Sequence, residues 1–157
     1  MMLQIDRVTS LDTYDLNSLI EESIAEGYRF IKRLVDEFED GSNRFNKTGE
    51  ALFVALIDNR VVGVGGLNID PYRDDKNVGR VRHVYVLKSS RRLGVGKELL
   101  RTIIEEAKKH FSILTLTTDN PVADRLYIAS GFTKVEGWNK ASHIYRIGAS
   151  NDEKVRD

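Results

Sequence analysis

Residues 91–97 read Arg-Arg-Leu-Gly-Val-Gly-Lys. They put three cations and two glycines between an apolar, β-branched run at 80–87 and an amphipathic helix pattern. Strand, basic glycine turn and helix, in that order, make an anion site. Glycines at 94 and 96 leave no Cβ between a ligand and the backbone N–H groups. The helix start adds unpaired donors and about half a positive charge. Arg91, Arg92 and Lys97 supply the formal charge that suits a phosphate-rich partner. Two common phosphate loops fail here. A GxxxxGK loop needs Ser or Thr after its lysine, and Glu98 stands there, with no glycine five residues before Gly96. A GxGxxG turn needs a third glycine, and Leu99 stands there. What remains is Arg91-x-x-Gly94-x-Gly96; the competing reading is a solvated basic turn whose glycines only start a helix.

A second stretch lies one helix and one strand further on. Asn120-Pro121 opens a short helix, with Asn as N-cap and Pro in the first turn, and Gly131 closes it. Within it, Asn120, Ala123, Leu126, Tyr127, Gly131 and Phe132 fit the pattern N-x-x-A-x-x-L-Y-x-x-x-G-F. The two stretches together resemble the paired motifs of the GNAT superfamily of N-acetyltransferases, over about residues 50–147. The resemblance implies an α+β GNAT fold: a central mixed β-sheet, splayed between the fourth and fifth strands and flanked by helices. It implies acetyl-CoA as cosubstrate in that V, with no metal. The pyrophosphate would lie on Arg91, Arg92, Leu93, Gly94, Val95, Gly96 and Lys97. The pantetheine would pair with backbone of Val84, Tyr85 and Val86, in the manner of an added strand, and Asn120 and Tyr127 would touch the coenzyme. A primary amine would attack directly through a tetrahedral intermediate, which suits a chain without cysteine.

That reaction needs an acid and a base. Tyr127, one turn from the small Ala123, is the expected general acid for the departing thiolate. Family members often carry a glutamate base where this chain has Arg80 or Thr115. His83 is then the nearest group able to accept a proton near neutral pH; the alternatives are a packed strand histidine, with water as the relay, or an amine that arrives partly neutral. Tyr28, Phe30 and Tyr72 are candidates to line the acceptor pocket, or else core and hinge packing. Trp138 and Tyr145 read as a cross-strand pair in a terminal hairpin.

The elements that must position these groups run β-α-α-β-β-β-α-β-α-β-β. Gly27 separates two N-terminal helices, and Asp58-Asn59 joins two strands as a hairpin. The Gly63-Val64-Gly65-Gly66 stretch reads as a strand with close neighbours, because no helix pattern succeeds it. Residues 1–149 form one domain and 150–157 a charged tail. Lys plus Arg and Asp plus Glu are 24 each, so the net charge is zero, which argues against a nucleic-acid or anionic-membrane partner. Absent cysteine excludes disulfides and thiolate metal sites, and His83, His110 and His143 are too scattered for a metal motif. No apolar run is long enough for a membrane span and no leader opens the chain, so a cytoplasmic setting is expected. The acceptor is a small-molecule, protein or peptide amine: polyamine, aminoglycoside, amino acid and protein N-terminus all stay open, as do a longer acyl donor and a homodimer. The rival reading is a catalytically silent acetyl-CoA-binding sensor or partner module.

Overall fold

In chain order the elements are β1 (Leu3–Arg7), α1 (Asn17–Ala25), α2 (Phe30–Asp40), β2 (Ala51–Ile57), β3 (Arg60–Ile69) and β4 (Val78–Val86), then α3 (Val95–Ala107), β5 (Ile113–Leu116), α4 (Pro121–Ala129), β6 (Thr133–Lys134) and β7 (His143–Arg146). This is a computed structural model that describes residues 2–148; the charged tail expected at 150–157 lies outside them. Local chemistry explains several boundaries. Asp58 and Asn59 both take positive φ (51° and 66°), as a two-residue hairpin turn with the twist of its strands requires. α2 stops at Gly41 in the left-handed region. Asn120 caps α4, accepting from the N–H groups of Val122 and Ala123 at 2.8 and 3.2 Å.

The strands form one sheet in the order β1-β2-β3-β4-β5-β7-β6, antiparallel except for β4 and β5. Each face carries its own core. On one face α3 buries Leu99, Leu100, Ile103 and Ile104 with Leu114, Leu116 and Tyr127. On the other, α1 and α2 bury Leu19, Ile31, Leu34 and Phe38 with Val54, Val64 and Tyr85. The glycine stretch in β3 allows close approach on both faces. A Cβ on Gly65 would lie 2.9 Å from Ile103 of α3, and one on Gly66 would lie 2.6 Å from the Phe45 ring on the opposite side.

Strand β4 departs from regular pairing on both of its sides. Its pairing with β5 covers only Val78–Ile113, Gly79–Leu114 and Arg80–Thr115. Val81–Val86 then run on with no strand on that side, which is the splay between the fourth and fifth strands. On the β3 side the register jumps from Gly66–Arg82 to Val64–Tyr85, so His83 and Val84 together face Gly65. This is a β-bulge, and His83 takes its left-handed position with φ 61°.

The terminal hairpin differs from the expected one. β6 is two residues long and Trp138 falls in the loop after it, where its ring lies 5.5 Å from the Arg73 guanidinium carbon. Tyr145 packs instead on Phe132, with ring centroids 5.4 Å apart. Cross-strand alternation cannot be extrapolated past a strand that stops after two residues.

The Gly66–Phe45 contact is directly testable. Gly66→Ala should destabilise the fold by roughly 1–3 kcal/mol through overpacking, and Phe45→Leu in the same chain should recover part of that loss. Urea unfolding of the single and double variants measures the coupling; additive effects would mean that the ring is not the obstacle.

Candidate active site

The glycine turn is built by a 3-10 segment, Lys88–Leu93, that ends on Gly94 at φ 79°. No side chain caps the start of α3, so its first N–H groups stay available to a ligand. A Cβ at Gly94 would meet nothing within 4 Å, whereas one at Gly96 would lie 3.0 Å from Leu126 of α4. The two glycines therefore do different things. Gly94 supplies the turn and open space; Gly96 lets α4 close against α3. Arg92, Leu93, Gly94 and Lys97 are exposed and Val95 is buried.

Arg91 is already engaged. Its Nε donates to the Val86 carbonyl at 2.8 Å, its Nη2 donates to Glu26 Oε1 at 3.0 Å, and its guanidinium sits over the Tyr85 ring at 5.3 Å. Tyr85 hydrogen-bonds Glu22 at 2.8 Å and also Glu26. The Tyr85 hydroxyl, with Arg91 and Lys88, holds the Glu26 carboxyl below its ordinary range. Burial and then the two carboxylates push the Tyr85 phenol up. This network ties the end of α1 to the glycine turn.

The unpaired edge of β4 faces the turn. Leu87 N–H donates to Val62 of β3 at 2.8 Å, so alternation directs the peptide groups of Val86 and Val84 to the open side. Tyr85 is in register with Val64, and its backbone is turned towards β3. At the bulge, His83 is 8% exposed and neither ring nitrogen has a hydrogen-bond partner. The imidazole lies 6.5 Å from the Phe30 ring and 6.2 Å from Phe45. Tyr28 and Phe30 pack 5.4 Å apart, so Tyr28, Phe30, His83 and Tyr85 form one aromatic group on the α2 side.

Across the gap stands α4. Tyr127 packs against Phe132 and His143, with centroids 5.6 and 6.1 Å away. Its hydroxyl has no hydrogen-bond partner among the described residues, and burial alone pushes the phenol up. His143 Nε2 meets Asp124 Oδ1 at 2.6 Å, while its Nδ1 meets Ser142 Oγ at 2.7 Å. The buried His143 ring thus anchors the half-buried Asp124 of α4 to β7. The Asn120 amide donates to the Tyr28 hydroxyl at 3.0 Å, so the α1–α2 loop reaches across the splay to the cap of α4.

Where the strands part, Asp70 is fully buried and accepts from Arg73 Nη1 (2.8 Å) and Thr115 Oγ1 (2.6 Å). Arg80 donates to the Lys140 carbonyl (2.7 Å) and Thr117 Oγ1 (2.9 Å) and rests 4.8 Å over Tyr72. Arg80 and Thr115 thus belong to a structural polar cluster, and Tyr72 stands with them rather than with Tyr28 and Phe30. Sequence reasoning missed Glu22, Glu26, Asp70, Arg82, Asp124 and His143, because each gains its meaning from a partner distant in the chain. A cleft of about 510 Å³ lies elsewhere, beside the β2–β3 hairpin; of the expected site residues it contains only Leu93. Among the described residues no group of three or more potential ligands can hold a metal, and no helix is long and apolar enough to cross a membrane.

Known proteins carry the same architecture. The family model for the acetyltransferase (GNAT) family matches residues 16–132. A solved structure of a proposed acetyltransferase from Exiguobacterium sp. 255-15 is 34% identical, covering 98% of this chain and 99% of that one, with a TM-score of 0.86. A GNAT-family acetyltransferase from Staphylococcus aureus Mu50 is 17% identical over 93% of this chain and 99% of its own, with a TM-score of 0.72. One from Elizabethkingia anophelis, solved with acetyl-CoA bound, is 18% identical over 92% and 98% with a TM-score of 0.62; these last two speak for the fold. An open β4 edge beside an uncapped, glycine-led helix, inside a family match over most of the chain, leaves one assignment: this chain belongs to the GNAT family of acetyltransferases.

Proposed function

We propose that this chain transfers an acetyl group from acetyl-CoA to a primary amine by direct attack. The observation that carries the reading is the backbone edge of β4 left without a strand partner at Val84 and at the Val86 N–H, beside the uncapped start of α3. Acetyl-CoA fits both parts: its pantetheine amides suit an unpaired strand edge, and its pyrophosphate suits free helix N–H groups with space at Gly94. Arg92 and Lys97 have no ion pair among the described residues and are the cations free to meet phosphate; Arg91 is shared with Glu26.

In the reaction the amine nitrogen bonds to the acetyl carbon, the C–S bond breaks, and the thiolate takes a proton. Peptide N–H groups at the β4 bulge stabilise the oxyanion. Tyr127 holds the proton for the thiolate on a hydroxyl with no competing acceptor. Burial raises the phenol pKa, but an apolar site raises the thiol's as well, so the gap of about 1.5 units between ~10 and ~8.5 is not widened by burial alone. His83 is a poor base. Burial, reinforced by the Arg82 charge, pulls its pKa to about 3. The amine therefore loses its proton to water or arrives neutral. A catalytically silent module of the same fold would bind acetyl-CoA and release no thiol with any amine.

Three measurements test this reading. Gly94→Val forces a branched residue into a left-handed turn and should abolish calorimetric binding of acetyl-CoA, while Gly94→Asn, which tolerates that conformation, should keep most of it; equal affinity in both would remove the turn from the site. Tyr127→Phe should lower kcat by roughly 10²–10⁴-fold with KM for acetyl-CoA nearly unchanged; wild-type turnover would take Tyr127 out of the mechanism. For His83 the sign runs through folding. A neutral native imidazole stabilises above the unfolded pKa of about 6.5, and that contribution is lost as pH falls towards the folded value, by up to about 1.4 kcal/mol per unit. His83→Asn should flatten this acid slope between about pH 6.5 and 4 and leave the pH–rate profile unshifted. A lost limb in the rate profile would restore His83 as the base.

A further inference from the structure

Three arginines lie around the parting strands, and they are not equally paired. Arg73 and Arg80 share Asp70, at 2.8 and 3.9 Å, and each also donates to a backbone carbonyl. Arg82, two residues along β4, has no carboxylate within 4.0 Å among the described residues. Among the described residues its side chain makes one hydrogen bond, a long 3.5 Å one from Nη1 to Asn68 Oδ1. That oxygen already accepts from Asn43 at 3.0 Å, and Asn68 donates its own amide to Asn43 and to Glu50. The Arg82 side chain is part-buried. Removing a guanidinium from water without an anion is costly, and its fork of donors matches a carboxylate.

A second observation lies one residue further on. His83 is more than nine-tenths buried with both ring nitrogens unpartnered. Arg82 and Arg33 both act on this imidazole to repel a proton, and no carboxylate is paired with Arg82 among the described residues. Together they leave the Arg82 guanidinium short of acceptors and the neutral His83 ring, one donor and one acceptor nitrogen, unpartnered on the α2 face of β4, opposite the α3 face.

We infer that the acceptor amine also carries a carboxylate, as an amino acid does, and that Arg82 anchors this carboxylate beside the β4 bulge with the His83 imidazole next to it. This rests on the acetyl-transfer reading above and narrows its acceptor. Polyamines and aminoglycosides bring only positive charge to a place already rich in it. An amino acid brings one oxyanion for Arg82 and one nitrogen, a few bonds away, for the thioester.

The test is a thiol-release assay with acetyl-CoA and matched sets of amino acids, their carboxamides and the corresponding decarboxylated amines. Calorimetry of acetyl-CoA, and of N-acetyl amino acids against N-acetyl amides on the CoA-bound protein, runs alongside. The carboxylates should exceed their amides by roughly 10–100-fold in kcat/KM, or in product binding where turnover is slow. Arg82→Gln should erase that preference through KM, with acetyl-CoA affinity as the control for folding, and Arg82→Lys should restore part of it. Amides or plain amines equal to the acids, in turnover and in binding, would overturn the inference, as would an Arg82→Gln effect shared by acids and amides alike. Absent acetyl-CoA binding in the wild type would instead overturn the acetyl-transfer reading itself.

Discussion

Peptide groups in a protein interior need hydrogen-bond partners, and β4 loses one set after three residue pairs with β5. Most of the site derives from that constraint. A strand that diverges from its neighbour leaves an edge with N–H and C=O groups on offer, and one of them, the Val86 carbonyl, is taken by Arg91 of the same chain. The divergence is held open by side chains. Arg80 reaches beyond β5 to Thr117 and Lys140, and Asp70 bonds Thr115 from the β3–β4 loop. This wedge occupies the positions, Arg80 and Thr115, at which the family often carries a catalytic carboxylate. An ion cluster of this kind is strongly destabilised when one member is removed, so these positions serve shape rather than proton transfer.

The bulge is the second device. Two residues of β4 set against one of β3 increase local twist and re-aim side chains, and here they put His83 and Tyr85 on the face covered by α1 and α2. The cost to His83 is a left-handed backbone and an unsatisfied ring. Conformations of that sort persist where surrounding packing over-determines them, and Phe30 and Phe45 on either side provide that packing.

What was legible in the sequence was local. The Arg91–Lys97 turn, the Asn120 cap, Gly131 at φ 105° and the Asp58-Asn59 hairpin each depend on residues within one turn of one another. The glycines of β3 were legible as close approach but not as to what approaches. The bulge left no mark, because Arg82-His83-Val84 alternates no differently from an unbroken strand. Nor did the partners of Arg91, a residue whose type suits phosphate but whose guanidinium is bonded to Glu26, 65 positions away. His83 illustrates the same gap: its residue type suggests a base, whereas its burial between aromatic rings, invisible in one dimension, decides its proton affinity.

The Tyr28–Asn120 hydrogen bond turns the splay from a groove into a ring of protein. A bond between two exposed groups contributes about 1 kcal/mol, so on the order of one molecule in six would lack it at any moment. Gly27, at φ 92° with open space around it, sits beside this contact as a natural pivot. On the acetyl-transfer reading proposed above, this bond would separate the two ligand approaches, and a long, flexible arm would not have to thread an eyelet: it would enter sideways during a brief parting and be enclosed when the loop returns.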